Sequence, residues 1–284
     1  MKILLTGASG QLGRCIQDRL PEGWQLHAFG SAELDISNKS LVEETVSRLK
    51  PDAIVNAAAY TAVDKAESEP ELAARVNTQG PENLALAARA VGAKFVHVST
   101  DYVFDGEGHR PYLETDETHP LGIYGSTKLD GENAALAVLP ETAVVRTAWV
   151  FSEYGNNFVK TMVKLAESRD ALGIVSDQRG CPTYAGDLAE ALITLLKVEA
   201  PGGVYHYGGD REVSWFEFAD RIFDIAVAEG RLDKKPELTA MTTDQYPTPA
   251  KRPAYSVLDG EKIKSLGVSL SDWDVALKDI IRKF

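Results

Sequence analysis

Met1 to Leu20, MKILLTGASGQLGRCIQDRL, constrains this chain more than any other stretch. A short apolar run, Ile3-Leu4-Leu5, leads into three evenly spaced glycines, Gly7, Gly10 and Gly13. Beyond them Leu12, Ile16 and Leu20 recur at four-residue intervals, which keeps one face of a helix apolar. Strand, glycine turn and helix are the opening of a dinucleotide-binding βαβ unit. Glycine permits positive φ and close approach of backbone to a pyrophosphate. The helix that follows aims unpaired N–H groups and the positive end of its dipole at that phosphate. Thr6 and Ser9 read as turn and capping residues.

The rest of the chain continues in the same rhythm. Strands are expected at Trp24 to Phe29, Ala53 to Ala59, Lys94 to Thr100, Thr142 to Trp149 and Val204 to Tyr207. Helices are expected up to Leu49, from Pro70 to Val91, from Tyr124 to Leu139, through Leu188, Leu192 and Leu196, and over 214–229 and 272–284. Alternating strand and helix specify an α/β fold with a doubly wound parallel Rossmann sheet. Residues 1–150 read as the dinucleotide-binding domain, with sheet and helix returns within 172–208. Residues 151–284 read as a smaller region, mainly for substrate, over the mouth of the first.

Composition excludes several function classes. A formal charge of −12 makes a poor non-specific binder of nucleic acid or anionic membrane. No apolar stretch approaches the ~20 residues of a membrane span, and the N-terminal apolar run is cut at Gly7, unlike a signal peptide. Two unpatterned cysteines, Cys15 and Cys181, read as reduced thiols, so a cytoplasmic protein is expected. There is no G-x-S-x-G elbow and no Walker P-loop.

The end of the second strand bears on cofactor choice. An acidic residue there bonds the ribose 2′-OH and selects NAD. Here the place is neutral, Phe29-Gly30-Ser31, and Arg14 lies just past the third glycine. NADPH, or indifference between NADPH and NADH, is the expectation.

Tyr124 and Lys128 carry the chemistry. Of ten tyrosines, only Tyr124 has a lysine at the fourth following position, which puts both on one helix face. The helix follows a strand ending in two hydroxyls, Ser99 and Thr100. Carbonyl reduction needs a hydride donor and a proton donor to oxygen. A free tyrosine, with a pKa of ~10, is a poor exchanger near neutrality. An ammonium about 4 Å away contributes about 4 kcal/mol at an effective dielectric of ~20, or about three pKa units. Lys128 is therefore expected to lower the Tyr124 pKa.

At these residues the chain resembles an extended short-chain dehydrogenase/reductase: Gly7-x-x-Gly10-x-x-Gly13, Asn56-Ala57-Ala58-Ala59 and Tyr124-x-x-x-Lys128. Within that superfamily it is similar to the dTDP-4-dehydrorhamnose reductases. The blocks that carry this are Ala59 to Glu67, Ser99 to Phe104, Gly155 to Phe158, Asp177-Gln178 with Pro182-Thr183, and Arg252-Pro253. The resemblance implies reduction of the C4 ketone of dTDP-4-dehydro-β-L-rhamnose by NADPH or NADH, with Thr100, Tyr124 and Lys128 catalytic. It implies cofactor contacts from Gly10, Gln11, Leu12, Asp35, Ile36, Ala59, Tyr60, Thr61, Tyr124 and Lys128, the last on the nicotinamide ribose, beside Gly7 and Gly13 of the turn. It implies that Asp101 and Trp149 touch the sugar. Arg252 is expected on the diphosphate, since guanidinium matches phosphate oxygens bidentately.

Some members of that family place a metal-binding carboxylate on the first helix, between two subunits. Cys15 stands at that position. No required metal and a monomer or weak homodimer are therefore expected. Two other readings stay open at this point: a nucleotide-sugar epimerase or dehydratase, and a regulatory subunit like that of methionine adenosyltransferase.

Overall fold

The computed structural model describes residues 1–283. Six strands form one parallel sheet: β1 (Lys2–Thr6), β2 (Gln25–Phe29), β3 (Ala53–Asn56), β4 (Lys94–Thr100), β5 (Ala143–Thr147) and β6 (Gly203–His206). Their order is β6-β5-β4-β3-β1-β2. The winding reverses between β1 and β3, and ligands of doubly wound sheets bind at the carboxyl ends beside such a point.

The longer helices are α1 (Gln11–Asp18), α2 (Lys39–Leu49), α3 (Gly80–Val91), α4 (Ile123–Val138), α5 (Phe158–Ala166), α6 (Ala185–Lys197), α7 (Trp215–Ala228) and α8 (Trp273–Ile281). Both sheet faces are covered, so the inner strands β1, β3 and β5 are buried on both sides. Ile3, Leu5, Val55 and Val145 pack with Leu12 and Ile16 of α1 and Leu188 and Leu192 of α6. Leu4, Ile54 and Phe95 face the other way, onto Val42 and Val46 of α2, Leu84 of α3 and Ala135 of α4. Cys15 is fully buried in the first of these layers, and burial pushes its thiol up to about 12.

A separate apolar cluster joins Phe151, Val159, Ile174, Phe218, Phe223 and Leu277. It includes a strand pair outside the main sheet, Ala171–Val175 parallel to Glu237–Met241. Between its parts the chain returns to the sheet through α6 and β6. Ser214 starts α7 with a reciprocal capping box to Glu217. Among the described residues no helix is long and apolar enough to cross a membrane.

Three elements depart from the sequence reading, each beside the cleft described next. β3 stops at Asn56 rather than Ala59, because the Asn56 side chain captures the Ala58 N–H at 3.1 Å. β5 stops at Thr147, two residues before Trp149, whose φ of 50° turns the chain. The long helix from Pro70 is interrupted by a π-helical turn, Arg75–Gln79, before α3 begins. Such turns insert one residue and re-aim side chains; here the re-aimed side chain is Asn77.

Candidate active site

A cleft of about 640 Å³ runs along the carboxyl ends of the strands. At one end lies the glycine turn. Gly7 has φ +69°, and a Cβ there would sit 2.6 Å from the Ala57 carbonyl. A Cβ on Gly13 would lie 2.2 Å from the Gly7 carbonyl oxygen, so helix and turn close-pack only with glycine at both places. Gly10 precedes α1 without a capping side chain. The first-turn N–H groups of α1 thus remain open to an anion. Gln11 is tied across the cleft: its Oε1 accepts from Ser152 Oγ at 3.0 Å and from Asn157 Nδ2 at 2.9 Å.

The cleft floor continues through Ala57, Ala58 and Ala59, with Leu12, Asp35 and Ile36 on the same wall. Asn56 beneath it is fully buried. Its Oδ1 accepts from Thr6 Oγ1 at 2.6 Å, and its Nδ2 meets His97 Nδ1 at 3.0 Å. Burial, then the neighbouring Lys128 charge, holds His97 well below its ordinary pKa, and so neutral. Asn77 clamps the next loop. Its Oδ1 accepts from the Tyr60 N–H at 2.8 Å, and its Nδ2 donates to the Tyr60 carbonyl at 3.1 Å and to Thr127 Oγ1 at 3.2 Å. The loop at Ala59–Thr61 is thereby fixed to α4, the helix that carries Tyr124.

At the other end Thr100, Asp101, Tyr124, Lys128 and Trp149 converge. Thr100 Oγ1 donates to Asp101 Oδ1 at 2.9 Å. Ser99 Oγ and Thr147 Oγ1 are buried without a hydrogen-bond partner, and both residues line the cleft beside Asp101. Burial raises the Asp101 pKa to about 6, against the Thr100 hydroxyl, which lowers it. The Trp149 indole stacks on Trp215, centroids 3.5 Å apart and 7° from parallel.

The expected lowering of the Tyr124 pKa is absent. Burial pushes its phenol up to about 12, the Thr100 hydroxyl opposing and the Asp101 carboxylate adding to the rise. Lys128 is 2% exposed and donates to the Val98 carbonyl at 2.6 Å. Burial brings its ammonium down to about 8, with Glu132 opposing. Helical spacing put the two residues on one face but carried no information about how deeply that face is covered.

Gly13, Tyr60 and Arg252 do not line the cleft. Gly13 serves packing. Tyr60 turns outward and donates to Glu69 Oε2 at 2.5 Å. Arg252 is engaged with Asp64 at 3.0 Å. Sequence reasoning missed Ser31, Tyr102, Gly155 and Asn156, which do line it, and the role of Asn77. For Asn77 a signal existed: an amide on an otherwise apolar helix face, here 1% exposed.

Fold and site together define a Rossmann oxidoreductase that uses a nicotinamide dinucleotide. The family model described as RmlD substrate binding domain matches residues 1–284. A dTDP-4-dehydrorhamnose reductase of Aggregatibacter actinomycetemcomitans is 48% identical, covering 98% of both chains. The crystal structure of such a reductase from Clostridium acetobutylicum superposes with a TM-score of 0.94 at 42% identity, covering 99% of this chain and 98% of that one. One from Bacillus anthracis, in complex with NADP, gives a TM-score of 0.94 at 36% identity, covering 100% and 99%. The chain belongs to the dTDP-4-dehydrorhamnose reductase family.

Proposed function

We propose that this chain reduces the C4 ketone of dTDP-4-dehydro-β-L-rhamnose to dTDP-β-L-rhamnose, the last step of dTDP-rhamnose biosynthesis. The observation that carries this is one continuous cleft with a pyrophosphate-type glycine turn at one end and Thr100, Asp101, Tyr124 and Lys128 at the other. The open first turn of α1 and the missing Cβ atoms of Gly7 and Gly13 fit a dinucleotide. NADPH or NADH, when bound, supplies the hydride.

The protein supplies the proton and the orientation. In the reductive direction the acid must arrive protonated. A Tyr124 pKa of about 12 secures that at neutral pH. Once the phenol gives its proton to the C4 oxygen, a buried phenolate remains. Lys128, with a pKa of about 8, is mostly ammonium at neutral pH and stabilises that phenolate. Stabilising the phenolate is the same as acidifying the phenol, so Lys128, which also holds the nicotinamide ribose, offsets part of the rise that burial imposes on Tyr124 when the cleft is filled. The Thr100 hydroxyl bonds the same substrate oxygen, and Asp101 and Trp149 hold the sugar. Gly7, Gly10, Gln11, Leu12, Asp35, Ile36, Ala59 and Thr61 hold the dinucleotide. Arg252 meets the diphosphate after leaving Asp64.

We further propose residues 1–150 as the dinucleotide-binding domain and 151–284 as mainly substrate-binding, in a cytoplasmic monomer or weak homodimer; sedimentation velocity tests the latter. The family match gives no support to the regulatory-subunit reading, and the epimerase or dehydratase reading is likewise not favoured. The deciding experiment follows nicotinamide absorbance with dTDP-4-dehydrorhamnose generated in situ. Stoichiometric cofactor oxidation with formation of dTDP-rhamnose is expected. No oxidation with either cofactor, despite measurable binding, overturns the assignment.

A further inference from the structure

The structure returns a carboxylate to a place where the sequence showed none. β2 ends at Phe29, and the chain turns tightly over Gly30 to Glu33, with the Leu34 and Glu33 N–H groups bonded to the Gly30 carbonyl at 3.0 and 3.1 Å. The Glu33 side chain folds back, and its Oε2 accepts from the Gly30 N–H at 2.8 Å. A Cβ built on Gly30 would lie 3.6 Å from Glu33 Oε2 and 3.6 Å from Ser9 Oγ. The carboxylate therefore sits against the end of β2 and beside the glycine turn, although it belongs to a residue four positions past the strand.

A second concavity opens there and shares Ser9 with the main cleft. Arg14, Asp18, Glu33 and Tyr154 line it. The Arg14 guanidinium lies 5.4 Å from the Tyr154 ring centroid, and Tyr154 Oη donates to Asp18 Oδ2 at 2.7 Å. An adenosine ribose held at the end of β2 presents its 2′ position to this place. A 2′-hydroxyl can donate to the Glu33 carboxylate. A 2′-phosphate meets one guanidinium and two carboxylates, an unfavourable balance at short range.

We propose that Glu33 sets the cofactor preference, favouring NADH by accepting from the ribose 2′-hydroxyl and disfavouring the 2′-phosphate of NADPH, with Arg14 as the opposing group. The inference rests on the reductase reading above. It differs from the expectation drawn from the neutral Phe29-Gly30-Ser31 end alone. Glu33 is a specificity residue and takes no part in the hydride or proton steps.

The test is equilibrium binding by calorimetry, with NADH, NADPH, 5′-ADP and 2′,5′-ADP as probes. Glu33→Gln is the informative variant. Its amide oxygen still accepts from the Gly30 N–H, so the turn is kept and only the charge is removed. Wild type should bind NADH more tightly than NADPH, and 5′-ADP more tightly than 2′,5′-ADP. Glu33→Gln should shift the Kd ratio toward the 2′-phosphorylated member of each pair by about tenfold or more, while Arg14→Ala should shift it the other way. Glu33→Ser, which also lacks the charge, serves if the amide variant misfolds. A ratio unchanged in both Glu33 variants, or moved toward NADH, overturns the proposal. In that case unimpaired NADH binding and turnover leave the reductase reading standing. If wild type binds neither dinucleotide, both fall.

Discussion

Replacing Asp101 by Asn separates stability from function at one buried carboxyl. Asp101 is 2% exposed, and burial lifts its pKa from 3.8 to about 6. The folded chain therefore holds this proton to higher pH than the unfolded chain does. Between the two values the folded state binds more protons, so stability falls as pH rises from about 4 to about 6 and stays lower above. A shift of about two units is worth about 3 kcal/mol at ~1.4 kcal/mol each. Asn cannot ionise and escapes that loss. Its own hydrogen-bonding cost is the same at both ends of the range and cancels in the comparison. Urea unfolding of both proteins at about pH 4 and about pH 7.5 should show the Asn variant gaining about 2.4 kcal/mol relative to wild type on going to the higher pH, since the unfolded carboxyl is already partly ionised at the lower one. Turnover should fall meanwhile, because the carboxylate is lost from the end of the cleft where the sugar is proposed to bind. A stability difference that does not change with pH would refute the argument that the burial of Asp101 is costly to the fold and retained for function.

Tyr124→Phe should lower kcat by about a hundredfold or more while leaving NADH affinity within a few-fold, read by stopped-flow and calorimetry. Turnover in the reductive direction should decline on the alkaline side near the Lys128 pKa of about 8, as the ammonium that stabilises the phenolate is lost, and Lys128→Arg should move that limb to higher pH. Glu132 and Arg146, both nearly inaccessible, form a bidentate pair at 2.7–3.1 Å. Glu132→Ala should cost about 3–5 kcal/mol in chemical denaturation because the guanidinium is left buried and alone. Gly13→Ala places a Cβ 2.2 Å from the Gly7 carbonyl oxygen and should abolish dinucleotide binding; retention of wild-type affinity would show that the turn yields at little cost.

What could be read from the sequence depended on interactions close along the chain. The opening turn was legible because strand, three glycines and helix lie within Met1 to Leu20. The parallel sheet was legible because the inner strands, such as Ile3 to Leu5 and Ala53 to Val55, are continuous apolar runs and helical patterns follow them. Tyr124 and Lys128 were legible as a pair because four residues make about one helical turn. The sequence by itself thus determined the fold class, the glycine turn and the candidate pair Tyr124 and Lys128.

Tertiary structure decided the rest, because burial and charge at a point are set by residues far apart in the chain. Lys128 was expected to acidify Tyr124, yet burial raises the phenol and the ammonium donates to the Val98 carbonyl. The depth of α4 against β4 and β5 comes from packing that no four-residue spacing encodes. Arg252 looked free in an acidic chain but is engaged by Asp64, 188 positions away. Asn77 acts on Tyr60 only through a π turn that periodicity read as continuous helix. The neutral end of β2 acquires a carboxylate because Glu33 folds back onto Gly30 beside Ser9. Local pattern names the groups that can do chemistry; the long-range packing of the folded chain sets their protonation, their partners and the ligand they face.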